Sequence, residues 1–508
     1  MKKFCIYFVF VLVASGSYGQ SGVLDTSFGN NGIVTTVISG TYNLGHTAVV
    51  QPDGKIIVAG EAGESSTYKV AVVRYNTDGT LDSTFGNSGT LLVQVGSDRS
   101  YARNISLQPD GKIVIGAYTY DDIAADFAVV RLNADGTLDN SFGTNGITIV
   151  DNGSHEVVDA MTLLSDGRII LAGNNYDNFL AARFNTDGSL DTSFGTNGWA
   201  STEFNSSYSQ VKDATAQDDG KILLSGFGTD ISTGRYKIAV ARFNTDGAID
   251  NTFGTSGQVY FNIGSFDDYG AGVAVQTDGK IMIGGYTILD SNFSKYDFAA
   301  VRLNSDGTFD NSYGTNGIAI SSVIDNGRNY AEQMLLQPDD KIVLMGFVGA
   351  GSNDDDMGMV RFDTNGNLDA TFGNGGKVIT DVGGRYDYGK AIAIQPDNKI
   401  ILAGYSYSTA GVAEIVVARY DNIILGTNDY QNIEFRLYPN PAKRQITIEL
   451  IDSSLNHQVE IFNILGKRIF SSEIQKMGQI DVSAFASGTY LIKLNSENKL
   501  SVVTFVKQ

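Results

Sequence analysis

The chain has 508 residues with 36 Lys and Arg against 56 Asp and Glu, a net charge of -20, and one cysteine. A surface this acidic excludes nucleic acid and anionic lipid as partners, since both are held through basic patches, and no Lys or Arg cluster interrupts it. The 59 glycines, with abundant Asn, Asp, Ser and Thr, fit many short strands joined by tight turns.

Residues 1–19 read as a signal peptide. Lys2 and Lys3 form a basic start, Phe4 to Val13 an apolar run too short to span a bilayer, and Ser17-Tyr18-Gly19 a small-residue cleavage site before Gln20. The lone Cys5 lies inside this leader and not at its end, so no lipoprotein anchor is indicated. The mature chain then has no thiol for disulfides, thiolate catalysis or metal binding, and no transmembrane segment.

From residue 24 the chain repeats itself. LDxSFGxxG begins at Leu24, Leu81, Leu138, Leu190, Ile249, Phe309 and Leu368, spaced by 57, 57, 52, 59, 60 and 59 residues. A second element, QPDGKI and its variants, begins at Gln51, Gln108, Leu164, Gln217, Gln276, Gln337 and Gln395. Arg74, Arg131, Arg183, Arg242, Arg302, Arg361 and Arg419 keep step, each closing an apolar run. Within one repeat, two apolar runs flank Pro52-Asp53-Gly54 as a hairpin, Lys69 to Tyr75 reads as a third strand, and Thr90 to Val95 as a fourth. No stretch has helical periodicity. Four antiparallel strands in each of seven units predict an all-β, seven-bladed β-propeller over residues 20–421. In this phase Ile33 to Val37 is an outer strand that pairs with Ile415 to Arg419 and closes the last blade.

The run AVVQPDGKIIVAG, followed by AVVRYNTDGTLDSTFG, resembles the delta-60 repeat family of bacterial surface and secreted proteins, for which propellers are expected. That resemblance implies no activity that can be transferred residue by residue.

The repeated side chains are expected to be structural. Phe28, Phe85, Phe142, Phe194, Phe253 and Phe372, with Tyr313 in the remaining repeat, pack between blades, and each Arg pairs with a repeat Asp or with backbone carbonyls. NTDGTLD, Asn76 to Asp82, admits either a calcium loop or an Asx turn without an ion, and it lacks the distal Glu of an EF-hand. No other cofactor is expected. His46, His155 and His457 are too dispersed for a zinc site, and no catalytic set is assigned. Asp121-Asp122, Asp267-Asp268 and Asp354 to Asp356 are the acidic pairs that a glycan hydrolase would need from the loops. Strand direction places the PDG and NxDGxLD turns on one face and the variable loops on the other. On the variable face, Tyr101, Tyr269, Tyr330 and Tyr388 stand seven residues before the Gln of their repeats and are the candidate binding residues; packing between blades is their other reading.

Residues 422–433 read as a linker, and residues 434–508 alternate as short strands of a small immunoglobulin-like β-sandwich. Tyr438-Pro439-Asn440-Pro441, the Gly466-Lys467 turn, Gly488 and Tyr490, and Lys507 near the terminus resemble the C-terminal sorting domain of the type IX secretion system of Bacteroidota. The resemblance implies the secretion machinery as a partner of residues 434–508 and a secreted or cell-surface location. The expected function is a surface-interaction module with an unknown protein or glycan ligand; the alternative is an extracellular glycan hydrolase with loop carboxylates on the variable face.

Overall fold

A computed structural model of the protein describes residues 21–64, 67–121, 124–350, 355–383, 386–422, 435–450, 457–463, 468–496 and 499–508. The expected leader, most of the linker, Asp122, Asp354, Gly466 and Lys467 lie outside these residues. The chain divides into two compact units, Met1–Ile424 and Leu425–Gln508. Every regular element among the described residues is a strand, so no helix there is long and apolar enough to cross a membrane.

The first unit is a seven-bladed propeller. In blade 1, Tyr42–Val50 pairs with Ile56–Gly63, that strand with Lys69–Tyr75, and the third with Thr90–Val93, all antiparallel. The outer strand stops two residues before the expected Val95. The first strands of neighbouring blades contact one another in a closed circuit, the seventh against the first, so they line the axis of the ring. Second and third strands are almost wholly buried, as in Ile56, Ile57, Val58, Val70, Val72 and Val73. They are covered on both faces by adjacent blades, which is why their sequence runs apolar instead of alternating.

A repeated device locks each blade to the next. Gly86 N–H donates to the Asp135 carbonyl of the following blade at 2.8 Å, while the Phe85 ring lies against Gly136. Gly136 has φ of 86°, and a Cβ there would stand 2.8 Å from Phe85, so only glycine fits both the turn and the close approach. Burying each of these rings contributes about 1.5–3 kcal/mol.

Blade 7 is completed by the N-terminus. Ile33–Thr36 pairs with the third strand Ala413–Asp421 in the register Ile33↔Ala418 to Thr36↔Ile415, and Val23–Leu24 pairs with Asp421 and Tyr420. Ser21-Gly22-Val23-Leu24-Asp25 takes the place that Asp78-Gly79-Thr80-Leu81-Asp82 holds in blade 1. The Ser21 carbonyl accepts from Gly373 N–H as the Asp78 carbonyl accepts from Gly29 N–H. The first and last segments of the propeller therefore meet at one seam.

Among the described residues, the second unit is a sandwich of seven strands in two sheets. Phe435–Tyr438, Gln445–Leu450 and Met477–Asp481 form one, and Arg468–Ile474, His457–Asn463, Gly488–Ser496 and Lys499–Lys507 the other. Its core includes Ile446, Ile448, Val459, Ile461, Ile492 and Phe505.

Candidate functional site

On the face bearing the PDG and NxDGxLD turns, the repeated charges are locked together. Asp82 Oδ2 accepts from Arg74 Nε at 2.8 Å and from Lys55 Nζ at 2.9 Å, while Oδ1 accepts from Thr84 N–H and its hydroxyl. Arg74 stacks over Phe85 at 4.5 Å and donates to the Ala134 carbonyl of blade 2. Arg131–Asp139, Arg183–Asp191, Arg242–Asp250 and Arg302–Asp310 repeat the pair at 2.7 Å, Arg361–Asp369 at 2.9 Å, and Arg419 takes Asp25 from the N-terminal segment at 2.8 Å. Arg361 departs in one respect: its NH1 donates to Asn422 Oδ1 at 2.8 Å. In the NTDGTLD turn, Asp78 Oδ1 accepts from Thr80 N–H at 2.9 Å and from its hydroxyl at 2.7 Å, the hydrogen bonds of an Asx turn. The groups of three acids close enough to share a cation, among the described residues, lie elsewhere.

The opposite face is built differently. Tyr101, Tyr269, Tyr330 and Tyr388 sit near the start of the first strands, each paired across the ladder with an aromatic: Tyr118, Tyr286, Phe347 and Tyr405. These rings continue from blade to blade. Tyr269 stacks on Tyr286 at 4.6 Å, Tyr286 meets Tyr330 at 5.3 Å, Tyr330 stacks on Phe347 at 4.5 Å, Phe347 meets Tyr388 at 4.9 Å, and Tyr405 meets His46 at 6.0 Å. The candidate tyrosines are thus half-buried in a belt of aromatics and not freely exposed; packing between blades and presentation at the mouth coincide in the same rings.

Two residues further along each first strand is a feature that motif reading missed. All seven first strands carry a β-bulge, at Gly45/Thr47, Ala102/Asn104, Val158/Ala160, Val211/Asp213, Gly270/Gly272, Ala331/Gln333 and Gly389/Ala391. A bulge leaves one residue outside the ladder and re-aims its side chain. The seven residues so freed are His46, Arg103, Asp159, Lys212, Ala271, Glu332 and Lys390, and all but Ala271 line one cavity of about 220 Å³. Walls drawn from six blades put that cavity on the axis. Each of these residues lies five positions before the first residue of its PDG-type turn, and a charged or histidine residue in the middle of an otherwise apolar run is the signal that would have found them.

Five of the ring's side chains, His46, Arg103, Asp159, Glu332 and Lys390, have hydrogen-bonding partners. Glu61 accepts from Arg103 at 3.0 Å and bonds His46 Nε2 at 2.9 Å, Lys390 donates to Glu332 at 2.6 Å, and Gln210 donates to Asp159 at 3.0 Å. Arg103 also lies 5.4 Å from the Tyr101 ring and 5.2 Å from Tyr118, tying the charged ring to the aromatic belt. Burial, with Arg103 and Lys390 nearby, outweighs Glu61 and keeps the His46 pKa low, so its imidazole is neutral at neutral pH. Glu332 is held below the usual carboxylate range because the charges of Lys390 and Lys212 outweigh its burial. Asp213 goes the other way: burial pushes it up to about 6 against the N–H groups of Val273 and Ala214.

Four of the acids expected to serve hydrolysis, Asp121, Asp267, Asp268 and Asp355, make contacts within the scaffold. Asp268 accepts from the N–H groups of Ile263 and Gly264, Asp267 from Tyr236 N–H, and Asp355 pairs with Arg328 at 3.0 Å. Asp121 accepts from Ala124 N–H.

In the second unit, the Tyr438-Pro439-Asn440-Pro441 segment is fastened to the C-terminal strand. Asn440 Oδ1 accepts from Val506 N–H at 2.9 Å, and Ala442 bridges to Lys507. Tyr438 is exposed and bonds Glu449 at 3.3 Å. Tyr490 is buried, stacks on Phe505 at 5.3 Å and donates to the Ala486 carbonyl at 2.8 Å; Gly488 pairs with Lys507 at the same end of that ladder.

The fold and these two sites define a seven-bladed β-propeller that carries a separate C-terminal export module. Residues 51–85, 108–142, 164–194, 217–253, 276–313, 337–372 and 395–422 match the domain of unknown function (DUF5122) beta-propeller, and residues 436–508 match the secretion system C-terminal sorting domain. The chain belongs to the DUF5122 β-propeller family and ends in a type IX sorting domain, which indicates export to the cell surface or secretion. No curated protein matches the sequence. Among solved structures, the polysaccharide lyase Uly1 aligns over 74% of this chain and 90% of its own at 11% identity and a TM-score of 0.44. The β-propeller domain of the Trilobed protease from Pyrococcus furiosus aligns over 76% and 97% at 10% identity and a TM-score of 0.37. A putative glycoside hydrolase from Parabacteroides distasonis aligns over 53% and 87% at 14% identity and a TM-score of 0.29. Likeness of this degree carries no argument about activity.

Proposed function

We propose that the propeller is an exported binding module that takes a charged group of an extracellular protein or glycan at the axial mouth of its variable face. The sorting domain serves as its address for the type IX machinery. The observation that carries this reading is the convergence, on one side of the ring only, of the aromatic belt and the charged ring lining a single cavity. The opposite face spends its charges on blade-to-blade locks. Rings beside paired charges suit a ligand that brings both a flat apolar surface and a charge.

Hydrolysis is the second reading, drawn from the opposed shifts of Asp213 and Glu332 in one cavity, since a raised and a lowered carboxyl are what acid–base glycan cleavage uses. Both Asp213 oxygens, however, are occupied by backbone N–H groups, one from the next blade, and this favours a strut over a proton donor.

The test is a screen of the purified protein against immobilised glycans and matrix proteins, followed by titration of any ligand found. Tyr388→Ala and Glu332→Gln should each weaken binding by about tenfold or more, a loss of about 1.4 kcal/mol. Asp78→Ala, on the other face, should leave affinity unchanged. Loss of binding on Asp78→Ala with retention on Tyr388→Ala would refute the assignment of face, and turnover of a glycan would favour the second reading.

A further inference from the structure

At each junction between blades, three positions come together on the variable face: the residue five before the repeated Arg, the residue just after the outer strand, and the residue eight before the first residue of the next PDG-type turn. The third position is always polar and buried: Asn43, Ser100, Glu156, Ser209, Asp268, Asn329 and Asp387. In most junctions it caps the incoming loop, as when Asn43 Oδ1 accepts from Ile38 and Ser39 N–H and Asn329 Oδ1 from Val323 and Ile324 N–H.

Five of the seven junctions hold at most one acid in these three positions. Asp268 shows how a lone acid is satisfied: its oxygens accept from Asn262 Nδ2 at 3.1 Å and Ile263 N–H at 2.9 Å, and Lys237 stands where other junctions place an acid. Two junctions differ. Asp126, Asp151 and Glu156 meet between blades 2 and 3, and Asp356, Asp381 and Asp387 between blades 6 and 7, each group with carboxylate oxygens within 4.8 Å of one another. In the first group Glu156 is fully buried. Its Oε1 accepts from Ser154 N–H at 2.9 Å and from the Ser154 hydroxyl, whereas Oε2 of the same carboxylate is buried with no hydrogen-bond partner. The neighbouring imidazole offers little relief, because His155 Nδ1 is engaged in accepting Ala125 N–H at 3.1 Å. A buried carboxylate oxygen without a donor, beside two more carboxylates, is costly unless a cation joins them.

We infer that the junction of Asp126, Asp151 and Glu156 is a calcium site, and that Asp356, Asp381 and Asp387 form its counterpart between blades 6 and 7. All-oxygen donors select a hard cation. Donors arriving from one strand and a loop in the first group, and from two strands and a loop in the second, leave irregular, adjustable spacing, which suits Ca²⁺ over the strict octahedron of Mg²⁺. Affinity should be that of extracellular modules, on the order of 10⁻⁴–10⁻³ M. This inference stands independently of any ligand at the axial mouth.

Calorimetric titration of the chelator-treated purified protein with CaCl₂ should give two sites, and its melting temperature should rise on adding millimolar CaCl₂. Asp126→Asn/Asp151→Asn should lose one site, and adding Asp356→Asn/Asp381→Asn should lose both. Without calcium these variants should melt no lower than the parent protein, because the substitutions relieve repulsion. A parent protein that takes up no calcium overturns the inference whether or not the variants fold. So do variants that melt lower by the same amount with and without calcium, which would make the carboxylates loop caps alone.

Discussion

Asp82 carries two cations on one carboxylate oxygen, Lys55 from the first hairpin and Arg74 from the third strand, and the arrangement recurs in every blade with Arg168 replacing Lys in the third. Breaking a buried pair from one side leaves an uncompensated charge, a loss of about 3–5 kcal/mol. Arg242→Met should therefore lower the melting temperature while leaving ligand affinity intact, because Arg242 lies on the locked face; lost binding at unchanged stability would contradict this. The same pairs set acid resistance. Burial alone would raise Asp191 and Asp369, but hydrogen bonds from Ser193 and Thr371, with their cationic neighbours, hold both at about 2, below the ordinary 3.8. A carboxyl whose folded pKa is depressed contributes stability above its unfolded pKa and loses it as pH falls towards the folded one. Melting temperature measured by circular dichroism should accordingly hold down to about pH 4 and fall steeply towards pH 2; a fall between pH 7 and 5 would show that other groups dominate.

At the scale of the strand, the edge of blade 7 is the exposed point of the ring. The outer edge of Ala413–Asp421 is covered by Ile33–Thr36 and Val23–Leu24. Deleting residues 21–36 should leave Arg419 without Asp25 and expose a strand edge that pairs with other chains. Light scattering should then report self-association together with a lower melting temperature; a monomer of unchanged stability would mean that the seam is dispensable. Much of this level was legible in the repeats. Leu24 opens an LDxSFG element with no preceding hairpin and Arg419 ends one with no following LDxSFG, so the pairing of the two ends follows from counting. The axial ring was not legible in the same way. His46, Arg103 and Asp159 differ in type and stand within apolar runs, and only the bulge beside each turns it to the axis, a tertiary effect invisible to strand periodicity. The junction acids were hidden for a related reason: Asp126, Asp151 and Glu156 are spread over 31 residues, and it takes the pairing of two strands of blade 2 and the approach of blade 3 to unite them.

For the whole molecule, the two compact units separate the propeller from the domain that indicates export. A chain ending at Asn422 keeps every propeller contact described above, including Asn422 with Arg361, and lacks the domain that marks it for export. It should fold, melt like the propeller of the full chain, and remain within the cell envelope, as fractionation and immunoblotting of the producing cells would reveal. Its recovery from the medium or cell surface would remove the sorting role from residues 436–508.

The meeting of the propeller's first and last segments at one seam has a kinetic side. Arg419 and Asp25 are 394 residues apart, and closing a flexible loop of that length costs about 5 kcal/mol, since closure entropy grows as (3/2)RT ln n. Each blade that stacks on its neighbour bends the growing arc and brings the ends closer, so the cost falls as the arc lengthens. The latch consequently forms last, after the seventh repeat has been made. A chain stalled short of residue 413 is an open arc with its first and last blades unpaired, the high-contact-order intermediate most exposed to aggregation on the folding path.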